Sequence, residues 1–120
     1  MRVFVYFNLH KKCWSIKALQ GSDKGRVIYH SNYVSLRNCR LRVSEAGRKR
    51  VLASKRKNVH AGVEGDLFTI HSPMTVQGTV VTYNPYKYQS FVNAITKEPV
   101  IEANVVDLIK TPTETLVVCR

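Results

Sequence analysis

Cys39-Arg40-Leu41-Arg42-Val43-Ser44-Glu45-Ala46-Gly47-Arg48-Lys49-Arg50-Val51-Leu52-Ala53-Ser54-Lys55-Arg56-Lys57 changes its repeat halfway along. From Cys39 to Val43 apolar and cationic residues alternate, as in a strand with one buried face, so Arg40 and Arg42 share the outward side. At Ser44 the alternation stops. Ser44 is a good N-cap and Glu45 suits the positive end of a helix dipole, which predicts a helix over about residues 44–57. Ser44, Gly47, Val51, Ser54 and Asn58 form one narrow stripe of small side chains suited to close approach to a sheet. Leu52 and Ala53 add only partial burial, and the cations take most of the remaining surface.

Outward from this stretch, period-2 patterning dominates. Arg2 to Tyr6 and Cys13 to Leu19 read as strands, the latter with Trp14, Ile16 and Ala18 on one face and Ser15 and Lys17 on the other. The turn cluster Gln20 to Gly25 joins the second of these to Arg26–His30, predicting a hairpin. Val34–Arg37 is a further strand. Beyond the helix, Asn58 to Gly65 reads as a glycine-punctuated connection into a strand at Asp66–Ile70, which Ser72-Pro73 ends. Thr79–Tyr83 and Gln89–Asn93 flank the turn Asn84-Pro85-Tyr86-Lys87 as a second hairpin, and Val105–Ile109 and Leu116–Cys119 are late strands. With no repeat, low-complexity segment or linker, the 120 residues read as a single α+β domain, a mainly antiparallel β-sheet with one main basic α-helix.

The charge is as uneven as the pattern. Residues 1–57 hold 15 of the 19 Lys and Arg, opposed only by Asp23 and Glu45, so the net +11 divides into about +13 in the first half and about −2 in the second. Apolar residues are interleaved with these cations, which makes the basic half one face of a folded body rather than a disordered tail. A one-sided positive field attracts polyanions, and solubility alone would be served equally by acids. Nucleic acid, RNA or DNA, free or within a nucleoprotein complex, is therefore the expected partner. The expected phosphate contacts are Arg48, Lys49, Arg50, Lys55, Arg56 and Lys57 on the helix, with Arg37, Arg40 and Arg42 extending the surface from the strands.

Aromatic residues accompany the basic half. Tyr6, Phe7, Trp14, Tyr29 and Tyr33 either fill the core or, where exposed on a sheet face, stack on unpaired bases. Trp14 alternates inward with Ile16 and is assigned to the core. Tyr83, Tyr86 and Tyr88 crowd one hairpin tip and form a partner-binding surface for protein or base contact.

Several other chemistries are disfavoured. Three cysteines, Cys13, Cys39 and Cys119, cannot all pair within one chain, and no secretory apolar segment follows Met1, which points to a reducing cytoplasmic compartment. No stretch is long and apolar enough for a membrane span, and no segment joins the cations to a large apolar helical face, so no membrane partner is expected. His10, His30, His60 and His71 lack the spacing of a metal knuckle, and neither a metal nor another cofactor is expected. Gly62 and Gly65 are a weak signal for close phosphate approach, and Glu64 and Asp66, on one strand face, are not a convincing divalent-metal nuclease pair. The enzymatic alternative is metal-independent RNA cleavage, with His10 and His60 exchanging protons and Lys11 or another nearby lysine stabilising the charge on phosphorus. No catalytic residue is assigned in the leading reading.

Three stretches together carry a resemblance: Asn8-Leu9-His10-Lys11-Lys12-Cys13-Trp14-Ser15-Ile16, the block from Gly47 to Gly65 that includes Arg56-Lys57-Asn58-Val59-His60-Ala61-Gly62-Val63, and Val81-Thr82-Tyr83-Asn84-Pro85-Tyr86-Lys87-Tyr88. They resemble small basic proteins encoded in bacteriophage and prophage genomes. The resemblance implies an accessory protein acting in a bacterial host cytoplasm on host nucleic-acid machinery, a host nucleoprotein complex or a defence system, and it transfers no site residue. The expected function is a nucleic-acid-binding accessory protein that acts sterically in host takeover or anti-defence. The metal-independent ribonuclease and a protein-binding inhibitor of a host factor are the alternatives. RNA against DNA, sequence specificity and oligomeric state leave no signature in the sequence.

Overall fold

A computed structural model describes residues 1–55, 60–71 and 77–120. Among these, nine strands form one sheet: β1 (Arg2–Asn8), β2 (Cys13–Ala18), β3 (Val27–Ser31), β4 (Tyr33–Val43), β5 (Ala61–Thr69), β6 (Thr79–Thr82), β7 (Val92–Asn93), β8 (Glu102–Lys110) and β9 (Thr115–Cys119). Their order is β3-β2-β1-β5-β4-β8-β9-β6-β7, and every pairing is antiparallel. One helix, α1 (Glu45–Ser54), follows β4. The expected mainly antiparallel, sheet-dominated α+β architecture is borne out, with a helix shorter than the expected 44–57.

The inner face carries the core. Val3 and Val5 of β1, Trp14 and Ile16 of β2, Val34, Leu36 and Leu41 of β4, Val63 of β5, Val106 and Leu108 of β8 and Val81 of β6 join one buried cluster. Strands β2 and β8 touch although β1, β5 and β4 lie between them in the sheet order, so the sheet curls over its own apolar face. Trp14, Ile16 and Ala18 point inward as the alternation requires, and Phe7 meets Trp14 edge-on at 5.3 Å. The first expected hairpin forms: Ser15 lies opposite His30 and Ile16 opposite Tyr29, with a bulge after Ile16.

Several strand boundaries differ from the sequence reading. Val34–Arg37 and Cys39–Val43 are one strand, because β4 runs through a bulge at Asn38, whose φ of 53° lies in the left-handed region. The extra residue leaves both Leu36 and Cys39 facing inward. The glycine-punctuated connection is instead the first half of β5, which runs from Ala61 through Gly62 and Gly65 between β1 and β4. A Cβ on Gly65 would press on the Cys39 Sγ and Leu36 Cβ, so the glycine accommodates the neighbouring bulge. Finally, the second hairpin pairs only Val81 with Asn93 and Thr82 with Val92, so most of 89–93 stays outside the ladder.

Candidate functional site

The helix forms where the sequence places it and ends earlier. The Ser44 side chain accepts a hydrogen bond from the Gly47 N–H at 3.2 Å, and Ser44 N–H donates to the His60 carbonyl at 2.7 Å. Gly47 and Val51 are buried, and Gly47 lies so close to the His60 side chain that a Cβ would overlap it. At the other end Lys55 closes the helix in the left-handed conformation, φ 55°, with its N–H on the Val51 carbonyl. The helix proper therefore carries three of the six expected cations, Arg48, Lys49 and Arg50. Lys55 is the exposed cap, and Arg56 and Lys57 lie outside the described residues.

Those three are not equivalent. Lys49 and Arg50 are exposed. The Arg48 side chain is 15% exposed, donates from Nε to the Tyr88 carbonyl at 3.2 Å and lies 3.9 Å from Glu45. It fastens the helix to the hairpin tip. Nearby, His60 Nε2 is 3.2 Å from the Tyr83 hydroxyl with the rings edge-on, and Tyr83 packs against Phe91. Burial pushes the Tyr83 phenol up from its ordinary value, against the opposing pull of the Arg48 guanidinium. Of the three tyrosines, Tyr83 and Tyr88 are half-buried, and Tyr86 alone stands out, 59% exposed.

The strand cations lie on the outer face, and the register supplies their neighbours. One row across the sheet reads Lys17, Phe4, Glu64, Arg40, and the next reads Ser15, Tyr6, Gly62, Arg42. A third places Arg2 and Arg37 on either side of Asp66. Acids from the second half of the chain thus lie between basic residues of the first half. Glu64 pairs with Arg2 at 3.0 Å and with Arg42 at 2.8 Å, Asp66 lies 3.5 Å from Arg2, and Glu102 lies 3.7 Å from Arg40. The hydrogen bond from Arg2 holds the Glu64 carboxyl below its ordinary range against the cost of burial, with Arg42 adding to the effect. Arg37 lies over the exposed Phe68 ring, 3.8 Å from its centroid.

Phe4, Lys17, Leu19, Arg42, Val43, Ser44 and His60 line a cleft of about 260 Å³ at the top of these rows. Arg42 and His60 are thereby brought together, whereas His10 and Lys11 sit on the exposed turn after β1, their backbone N–H groups both bonded to Asn8 Oδ1 at 3.0 Å. Phe4 and Lys17 are contributors that the charge pattern does not reveal. The signal for them is the alternation of β1 and β2, which sets Arg2, Phe4 and Tyr6 opposite Val3 and Val5 and leaves Lys17 outward. Among the basic-half aromatics, Tyr6 stands half-exposed on the outer face. Phe7 and Trp14 turn inward, Tyr33 is buried and Tyr29 is exposed on the edge strand β3. A larger open cleft of about 1030 Å³ includes Arg2, Arg40 and Arg120, each already paired with a carboxylate.

No group of three or more metal-ligating side chains occurs among the described residues, and no helix among them is long and apolar enough to cross a membrane. No solved structure matches the chain. Residues 1–116 match the family model described as the Mycobacterium phage L5 gene 82 protein. The gene 82 protein of Mycobacterium phage L5 is 43% identical over 110 residues, covering 87% of this chain and 86% of that protein. The resemblance to phage-encoded proteins is borne out, and the chain belongs to the Mycobacterium phage L5 gene 82 protein family.

Proposed function

We propose that this phage-family protein binds nucleic acid in the host cytoplasm and acts sterically, on RNA or DNA itself or on a host nucleoprotein complex, in host takeover or anti-defence. The observation that carries this reading is the convergence of Lys17, Arg37, Arg40 and Arg42 on one sheet face, with exposed Lys49 and Arg50 on the helix that follows β4. The paired arginines do not count against it. Arg40 and Arg42 keep 61% and 59% of their side-chain surface exposed, and exposed ion pairs are worth little, so phosphates compete for the same guanidinium groups.

Binding carried by phosphates makes log affinity fall linearly with log salt, by about 0.7–0.9 for each phosphate neutralised. Replacing Lys49 and Arg50 together with Gln is expected to flatten that slope by roughly one and a half units, and Lys17→Gln by somewhat under one. Arg48→Gln, by contrast, should chiefly weaken the helix–hairpin junction. Slopes unchanged in all these variants would remove the cations from the interface.

One observation favours a second reading: His60 lines the same cleft as Lys17 and Arg42. If RNA is cleaved in excess EDTA, His60→Ala should lower the rate by roughly 10²–10⁴-fold. Intact RNA after hours supports steric binding. A partner that survives nuclease treatment during affinity purification would instead favour the inhibitor of a host factor.

A further inference from the structure

The outer face holds more than charge. Phe4 and Tyr6 are successive outward residues of β1, with ring centroids 6.2 Å apart and planes 32° from parallel. Gly62 makes the arrangement fit: it lies opposite Tyr6 in the register, and a Cβ there would run into the Phe4 ring. The two rings occupy the middle of the face. Lys17 lies directly across from Phe4 on one side, and Arg42 flanks Gly62 on the other. At roughly 4.8 Å between neighbouring strands, these cations stand beside the rings at distances that long side chains span.

The ring spacing selects the ligand. Bases stacked in a duplex strand rise about 3.4 Å each and cover one another's faces. Two neighbouring bases can lie on rings 6.2 Å apart only when they have separated from each other, as in an extended single strand. Every base has a π-face, so stacking of this kind tolerates any sequence. Glu64, beside Phe4 in its row, is held by Arg2 and Arg42 and orients the guanidinium groups around the rings.

Resting on the nucleic-acid reading above, we infer that the outer face of β2, β1, β5 and β4 binds single-stranded nucleic acid, with successive unpaired bases on Phe4 and Tyr6 and the backbone against Lys17 and Arg42. Ser15 lies next to Tyr6 in the same row, and His30 lies beyond it, 3.0 Å from the Ser15 hydroxyl. Ser15 is itself fully buried, so the edge of the platform toward β3 is the exposed His30 imidazole, which is able to meet a sugar or phosphate oxygen.

The test is fluorescence anisotropy of the full chain with a labelled mixed-sequence RNA oligomer, the DNA oligomer of the same sequence and the corresponding duplex. Either single strand should bind more tightly than the duplex, and the RNA-to-DNA ratio names which strand the face prefers. Phe4→Leu keeps an apolar side chain over Gly62 and removes the π-face. It should weaken single-strand binding by about 5- to 100-fold while leaving duplex binding and the salt slope unchanged. Tyr6→Ala should act in the same direction, with Tyr6→Phe near the unaltered chain. Each variant is first shown to unfold at the same urea concentration as the original to within experimental error, and Tyr6→Leu, which removes the π-face but keeps an apolar side chain, serves where Tyr6→Ala does not fold. Phe4→Leu binding single strands as tightly as the unaltered chain, or equal affinity for duplex and single strand, overturns the stacking proposal while leaving salt-dependent binding in place. No binding of any oligomer at low salt overturns the nucleic-acid reading beneath it.

Discussion

Strand β4 takes part in two regions built on opposite terms. Beyond the Asn38 bulge its outer face is open: Arg40 and Arg42 project, and Glu64, at 20% side-chain exposure, sits between the largely exposed Arg42 and the partly buried Arg2. From Tyr33 to Leu36, before Arg37 and the bulge, both faces are covered. Tyr33 and Ser35 are buried on the outer side, Tyr33 donates to Asp107 Oδ1 at 2.7 Å, and Arg120 reaches the fully buried Asp107 at 2.8 Å. In the closed region each polar group is fixed by a specific neighbour, because an unpaired charge there would carry the full desolvation cost. In the open region water screens the same kind of pair, so the arginines remain available to an external anion.

The sharpest way to break this contrast is Asp107→Ala. It strands the Tyr33 hydroxyl in a buried site and removes the partner of Arg120. A loss of about 3 kcal/mol is expected, the lower end for a broken buried pair because Arg120 is partly exposed. Urea unfolding with an unchanged m-value checks it. The same region should respond to alkali. Burial, followed by the bond to Asp107, raises the Tyr33 phenol from 10.0 to about 12, and burial followed by the Asp107 charge raises the Cys119 thiol from 9.0 to about 11. Both folded values lie above the unfolded ones, so this stability is complete below about pH 9 and is lost as pH rises through 11 and 12. Unchanged urea midpoints between pH 8 and pH 12 would contradict the burial of these groups.

Next in size is Gly62→Ala, which tests the open face. Its methyl group would meet both the Val5 carbonyl and the Phe4 ring, and backbone on a central strand cannot yield cheaply. Roughly 2 kcal/mol is expected, with reduced single-strand binding even where the variant is folded. Glu64→Gln should cost about 1 kcal/mol or less, since its partners re-solvate. The direction with pH is opposite to that of the closed region. Glu64 titrates below its ordinary 4.5, so its contribution is present above that pH and is lost as pH falls through the folded value. A larger effect from Glu64→Gln than from Asp107→Ala would invert the comparison.

The smallest effect lies in a turn used twice. Asn8 to Lys12 and Asn93 to Lys97 both open with an Asn side chain accepting two backbone N–H groups and close on a lysine in the left-handed region, φ 54° and 65°. Lys97→Gly should stabilise by about 0.5 kcal/mol, the relief of the left-handed strain less the added freedom of the unfolded chain. Lys12→Gly should do the same for stability, and the thermal midpoint reads both.

Much of this fold was legible in local pattern. The alternation of Trp14, Ile16 and Ala18, the first hairpin, the Ser44 cap and the burial of Gly47 and Val51 depend on residues close in the chain, and all appear as read. The misreadings involve glycine and length. Gly62 and Gly65 looked like punctuation because an isolated strand has no use for them, and their reason emerges only when the Phe4 ring and the β4 bulge lie alongside. The helix stops at Lys55 through a left-handed lysine, which carries no compositional signal. The candidate face was half legible: the alternation marks Arg40, Arg42 and Lys17 as outward, but not that they flank Phe4 and Tyr6.

Local pattern was enough for a sheet-dominated chain with one helix starting at Ser44 after a cationic strand, and for a first half far more basic than the second, because period, capping and composition are properties of neighbouring residues. Which charges would be spent was decided only in three dimensions. Arg48, the first cation of the densest run, turns into the helix–hairpin junction, and Glu64, Asp66 and Glu102 cross from the other half to meet Arg2, Arg42 and Arg40. Antiparallel register brings together residues more than sixty positions apart, and electrostatic energy depends on that distance and on burial, neither of which is written along the chain.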